Sequence, residues 1–260
     1  MPATPTTAPP SPTCAPNAAP NAAPNAGNHT RVPTLDWPAI LAELDAYGIA
    51  RTGPIVSAAQ ATALATLYDD DSAFRSTVRM ARHGFGKGTY KYLSYPLPPL
   101  VAELRRTLYP ELAPLANDWQ ERMGLATRYP ASHDAFVASC HAAGQLRPTP
   151  LLLTYGPGDY NCLHQDLYGD VYFPFQMVVL FTEPGRDFTG GEFTVVEQRP
   201  RMQSRVEVVT LAQGEGAIFA VRERPVRGVR GHYRVQLRHG VSRVRSGQRR
   251  TMGVIFHDAR

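Results

Sequence analysis

Cysteine is scarce: the 260 residues include 3, at positions 14, 140 and 162, with no Cys-x-x-Cys spacing, which argues against a disulfide framework and against a thiolate zinc site. No uncharged apolar run approaches the roughly 20 residues that a membrane-crossing helix needs, so no membrane partner is expected. Residues 1–30 contain no Asp, Glu, Lys or Arg, and they show neither the basic start and apolar stretch of a secretory signal nor the arginines of a mitochondrial presequence. Cytoplasmic residence is the resulting expectation. Nine of the 24 prolines precede Leu35, and the tandem Pro-Asn-Ala-Ala of Pro16 to Ala26 leaves too few large apolar groups to offset chain entropy. Residues 1–34 therefore read as a disordered tail. Lysine is missing from Val196 onward, where 14 arginines face 5 acids for a net +9, which leaves −4 for everything before it. Such polarity suits an anionic ligand or partner, or equally a basic face that keeps the protein in solution.

What is present divides in two. Over 35–147 the pattern is mostly helical: Ile40, Leu41, Leu44 and Tyr47 recur at helical spacing, as do Leu64, Leu67 and Tyr68 after a Ser57 cap. Further helices are predicted over 72–82, 98–108, 110–122 and 132–143. One interruption, His83-Gly-Phe-Gly-Lys-Gly-Thr-Tyr-Lys-Tyr-Leu93, reads as a turn followed by a strand; a phosphate-cradling loop would be followed by a helix. Beyond Pro150 come short β-type runs at 151–155, 171–182, 192–197, 207–211, 217–221, 232–238 and 251–256, separated by Gly and Pro. The fold class is thus mainly β with an α-helical N-terminal part: a jelly-roll core over 148–260, with the helices packed on one of its sheets.

The chemistry concentrates in Tyr155-Gly-Pro-Gly-Asp-Tyr-Asn-Cys-Leu-His164-Gln-Asp166. In an extended segment His164 and Asp166 project to one side and can share an ion, although a lone His-x-Asp also arises by chance. Candidates for a third ligand are His232, His239 and His257. His239 alone is followed ten residues on by an arginine, Arg249, and the 74 residues between His164 and His239 allow the chain to return to a neighbouring strand. Two imidazoles and one carboxylate form the facial triad of non-haem iron oxygenases, yet zinc hydrolases use the same donors. Arg249 bears on the choice. Alternation puts Arg249, Thr251, Gly253 and Ile255 on one strand face and Arg250 on the other, and a guanidinium facing an interior without a protein acid suits a bound dicarboxylate. The bland alternative is an ordinary surface pair of arginines.

At this point the sequence resembles the 2-oxoglutarate/Fe(II) dioxygenases, through His164-x-Asp166, Gly190-Gly-Glu-Phe193, Gly214-Glu-Gly-Ala-Ile-Phe219 and the terminal His239-Gly-Val-Ser to Ser246-Gly-Gln-Arg249. It is similar, more narrowly, to a prokaryotic branch described as oxygenases acting on damaged nucleic acid. The runs that carry this are His83-Gly-Phe-Gly-Lys-Gly88, Asn161 to Gly169, Glu183 to Phe193 and Glu197 to Arg205, and the resemblance spans Trp37 to Ala259. It implies a double-stranded β-helix core and Fe2+ held by His164, Asp166 and His239. It also implies 2-oxoglutarate and O2 as cosubstrates, the distal carboxylate of the former on Arg249 with Thr251 adding a hydroxyl. Tyr155, nine residues before His164, stands where related enzymes place a cosubstrate contact; a packed strand tyrosine is the alternative.

The implied reaction couples decarboxylation of 2-oxoglutarate to hydroxylation or oxidative demethylation of a substrate. A nucleic-acid base is the first expectation, with arginines 199, 201, 205, 222, 224, 227, 230, 234, 238, 243 and 245 available to an anionic chain and Tyr160, Tyr168 or Tyr172 to stack on a base. Alternation turns many of these arginines to opposite strand faces, so some are structural. A prolyl-type protein hydroxylase or small-molecule hydroxylase is the second reading, and a non-catalytic sensor of 2-oxoglutarate or iron the third, against which the triad and Arg249 speak. No stable protein partner is expected. Cys162 reads as a small buried thiol, His133 and His141 as surface residues, and Asp187 and Glu192 as organisers of the Gly190-Gly191 turn.

Overall fold

The computed structural model describes residues 32–260, and the expected tail lies outside the described residues as far as residue 31. Four helices, α1 (Trp37–Tyr47), α2 (Ala58–Leu67), α3 (Pro99–Arg122) and α4 (His133–Ala142), precede most of the sheet. The strands are β1 (Ile49–Pro54), β2 (Phe74–Arg79), β3 (Gly86–Lys87), β4 (Thr89–Leu93), β5 (Leu151–Tyr155), β6 (Tyr160–His164), β7 (Phe175–Leu180), β8 (Phe188–Gly190), β9 (Phe193–Gln198), β10 (Arg205–Val209), β11 (Glu215–Ala220), β12 (Glu223–Gly228), β13 (Gly231–Val241), β14 (Val244–Gly247) and β15 (Arg249–Ile255). Among the described residues no helix is long and apolar enough to cross a membrane.

The strands form two principal antiparallel sheets, ordered β1-β11-β7-β15-β5-β4-β2 and β10-β9-β13-β6-β3, with β12 hairpinned onto β13 and a small β14-β8 pair beside them. This is the jelly roll expected. The seven-stranded sheet is covered on both faces, which is why β7 reads Phe-Gln-Met-Val-Val-Leu with every residue buried, without polar alternation. On its outer face α3 carries the aromatic layer: Tyr109 lies 4.7 Å from Phe173 and 5.2 Å from Phe136, and Trp119 lies 4.7 Å from Phe175.

Helix α3 is continuous where the sequence suggests a break at Pro110. Each interior proline costs about 3 kcal/mol. Leu104, Leu108, Leu112 and Trp119 are fully buried along the helix, at about 1.5–3 kcal/mol apiece, and this outweighs Pro110 and Pro114. The helix expected over 72–82 is instead strand β2, paired with β4 so that Val78 faces Tyr90 across the ladder. There a ready partner strand and β-branched residues prevail over weak helical periodicity. Residues 35–147 therefore supply three strands, β1, β2 and β4, to the main sheet as well as the helices.

One surface assignment is corrected. His133 is buried, with Nε2 2.9 Å from the Phe256 carbonyl, and burial pushes its pKa down to about 4. His141 lies at the surface as expected and reaches in to the fully buried Asp258 carboxylate at 2.9 Å, alongside an Arg105–Asp258 ion pair of 2.9 Å and a 2.8 Å hydrogen bond from the Tyr95 hydroxyl. Together these groups fasten the end of the chain onto α3. Asp187 does organise its loop, accepting from Glu183 N at 2.8 Å, and Glu192 accepts from the Ser242 hydroxyl.

Candidate active site

Between the two sheets lies a cavity of about 340 Å³. Strand β13 alternates so that Val235, Leu237 and His239 point inward, and its register sets His239 directly opposite His164 on β6. The two rings are 4.2 Å apart, and Asp166, just past the end of β6, reaches back to both, 3.4 Å from His164 Nε2 and 3.2 Å from His239 Nε2. The donor atoms of the three residues lie within 4.8 Å of one another.

Each donor is aimed by a neighbour. His164 Nδ1 donates to the Cys162 carbonyl at 2.7 Å, which turns Nε2 toward Asp166 and the cavity. His239 is held by packing, its ring 4.6 Å from Phe219 and 5.9 Å from Phe193, and its Nδ1 has no hydrogen-bond partner among the described residues. Both Asp166 oxygens accept hydrogen bonds of 2.8 Å, one from the Tyr168 hydroxyl and one from the Gln176 amide, which also sits 3.3 Å from His239 Nε2. Burial opposes charge on Asp166, but the bonds from both imidazoles hold its carboxyl well below the usual range. Burial, with the neighbouring His164, lowers the His239 pKa. An anionic carboxylate beside a neutral imidazole is a donor set suited to a dication.

On the opposite sheet Arg249, Thr251, Gly253 and Ile255 of β15 line the same cavity, while Arg250 turns away to Asp69 at 3.2 Å. Arg249 is fully enclosed, yet its Nε and Nη1 have no hydrogen-bond partner among the described residues. Burial pushes its pKa down to about 10, while Tyr155 and Glu192 pull the other way. Tyr155, the cross-strand neighbour of Arg249, is buried in the cavity wall with its ring 5.7 Å from the guanidinium carbon. The Gly-Gly turn has a steric reason: Gly191 has a φ of +67°, and a Cβ there would lie 2.8 Å from Arg249 Cδ.

The structure thus brings together all six residues singled out in the sequence. It adds Gln176, whose signal was a lone amide inside an apolar strand, and it moves Tyr168 from base-stacking candidate to partner of Asp166. Tyr172 is not among the residues that line the cavity. Cys162, expected to be buried, is exposed.

A jelly roll with two imidazoles, one carboxylate and a solitary buried arginine around one cavity is the fold and site of an oxygenase, an oxidoreductase. Residues 88–259 match the family described as "Oxygenase, catalysing oxidative methylation of damaged DNA", and the chain belongs to that family. Two curated relatives from two strains of Mycobacterium tuberculosis, each described as uncharacterized, are 51% identical over 164 residues, 63% of this chain and 70% of theirs. The fold is shared with a prolyl-4-hydroxylase from Pseudomonas putida (TM-score 0.51, 14% identity, 86% of this chain and 99% of that one). It is shared also with a 2OG-Fe(II) oxygenase-family protein from Burkholderia pseudomallei (TM-score 0.50, 14% identity, 88% and 94%).

Proposed function

We propose that this oxygenase hydroxylates or oxidatively demethylates a damaged nucleic-acid base in the cytoplasm, where ferrous iron and 2-oxoglutarate are at hand. The observation that carries the chemistry is the enclosed guanidinium of Arg249, unpaired and facing the same cavity as His164, Asp166 and His239. These three residues hold the iron. Arg249 pairs with the distal carboxylate of 2-oxoglutarate, Thr251 offers a hydroxyl, and Tyr155 walls the cosubstrate. When bound, iron and 2-oxoglutarate supply oxidative decarboxylation to succinate coupled to insertion of oxygen into a C–H bond; on an N-methyl group the product loses formaldehyde. Leu153, Phe193, Phe219 and Ile255 line the cavity with apolar surface and keep bulk water from the reacting atoms.

Tyr168 and Gln176 fix the direction of the Asp166 carboxylate. Tyr168→Phe and Gln176→Leu are each expected to weaken iron binding about 10- to 100-fold while the protein stays folded, as read by metal titration of the apo-protein. Iron affinity equal to wild type in both would remove them from the site.

The family description supports the nucleic-acid substrate, as does the distribution of charge. Of the arginines in the final third, Arg199, Arg205 and Arg224 converge on Glu197, and Arg234 lies 3.8 Å from Glu223. These are structural. Arg201, Arg227, Arg230, Arg238, Arg243 and Arg245 are exposed, with no ion pair among the described residues, and remain available to phosphates. The expected outcome is binding to single-stranded DNA that weakens steeply with salt, and formaldehyde release from N-methylated bases. Undetectable binding at low salt, with succinate production stimulated by peptides instead, would assign the enzyme to protein hydroxylation.

A further inference from the structure

Between Arg79 and Gly88 the chain makes a small closed loop at the rim of the cavity. Met80 N donates to the Gly88 carbonyl at 3.0 Å, and His83 N and Phe85 N both donate to the Met80 carbonyl, at 3.0 and 3.2 Å. The loop is fastened to β6 as well, where Cys162 N donates to the Phe85 carbonyl at 2.9 Å, two residues from His164. Glycine at 86 permits this approach: with a φ of +122°, a Cβ there would lie 2.4 Å from the Tyr160 carbonyl oxygen. The loop is therefore braced from inside and from outside.

What it presents is unusual for a braced element. Phe85 is 47% exposed while lining the cavity that holds the triad, and the exposed His83 ring stacks on it with centroids 5.3 Å apart and planes 22° apart. Exposed Leu163 and Leu167 line the same cavity from the side of β6. Arg79, Arg82 and Lys87, all exposed and all on this loop or its ends, form no ion pair among the described residues. Apolar surface alone would suit many ligands, and cations alone would suit any polyanion. A flat π surface flanked by unpaired cations at the mouth of a cavity matches single-stranded nucleic acid, whose bases stack and whose phosphates pair.

We propose that the His83–Phe85 pair is the stacking platform for a base flanking the one that enters the cavity, with Arg79, Arg82 and Lys87 meeting the adjoining phosphates. This rests on the nucleic-acid reading above. It adds the N-terminal glycine-rich loop to the exposed arginines of the final third as a place where the substrate is recognised.

The test is fluorescence anisotropy of the full-length protein with a labelled single-stranded oligonucleotide carrying an N-methylated base. Phe85→Ala and Phe85→Leu are expected to weaken binding about 5- to 100-fold, the loss that accompanies one base–aromatic stack, while Phe85→Trp retains it. The leucine variant keeps apolar bulk in the rim, so its loss reports the ring and not the packing; a thermal midpoint measured on each variant reports folding. The double variant Arg82→Gln/Lys87→Gln is expected to lower the slope of log affinity against log salt by about 1.4, two single-strand phosphate contacts. If the wild-type protein binds no oligonucleotide at low salt, the nucleic-acid reading and the platform fall together. If wild type binds and the alanine and leucine variants match it within twofold, the platform alone is overturned.

Discussion

Asp166→Ala is expected to reduce succinate formation to background and to leave the purified protein without iron. Among the described residues Asp166 is the one carboxylate in the cluster, and it stands between the two imidazoles, 3.4 Å from one and 3.2 Å from the other. Its charge offsets that of the metal, and its two oxygens are fixed by Tyr168 and Gln176. Alanine leaves two neutral imidazoles, a donor set without an anion for a hard dication. The loss should exceed the 100-fold or so that marks the removal of a supporting group, and that margin separates a ligand from a neighbour. Iron content by elemental analysis and succinate by chromatography check it together. Wild-type iron stoichiometry in the variant would show that the metal is held elsewhere.

Arg249→Met is expected to act in opposite directions on the cosubstrate and on the fold. The side chain is enclosed, its Nε and Nη1 are without partners among the described residues, and burial has already pushed its pKa down to about 10. An unpaired buried cation costs stability, so a methionine of similar volume should leave the thermal midpoint of the apo-protein unchanged or raise it. Recognition of 2-oxoglutarate should suffer by about 30- to several thousand-fold in KM, because the distal carboxylate would enter the cavity with no charge to meet it. The rise in midpoint that 2-oxoglutarate gives the wild-type protein should vanish. Arg249→Lys keeps the charge but loses the planar fork and should fall between the two. An unchanged KM, or a strongly destabilised apo-protein, would mean that Arg249 serves the fold.

The β half of the molecule was legible because alternation and turn residues act locally. Leu151–Tyr155 is a strand as expected, and the placement of Arg249 and Thr251 on one face and Arg250 on the other follows from the two-residue period alone. Where tertiary partners decide, local pattern was insufficient. The segment around Phe74–Arg79 became a strand because β4 was there to pair with it, and Pro110 failed to break α3 because its buried face outweighed the lost hydrogen bond. His133 looked like a surface residue because nothing in its own helix reveals the Phe256 carbonyl, 123 residues away. The triad itself was readable through spacing. The groups that aim it were harder: Gln176 belongs to a strand with no other polar residue, and the role of Tyr168 depends on a hydroxyl folding back two residues onto Asp166.

The order of the main sheet has a further consequence. Strand β1 closes it at one end against β11, and β4 followed by β2 closes it at the other against β5. The N-terminal half is thus a pair of bookends. A chain beginning at residue 148 would keep every iron and cosubstrate ligand and still expose two long rows of unsatisfied backbone amides and carbonyls, inviting other chains to complete them. The catalytic roll and the segments that precede it share one sheet, and a chain cut between them is expected to associate through its two open edges.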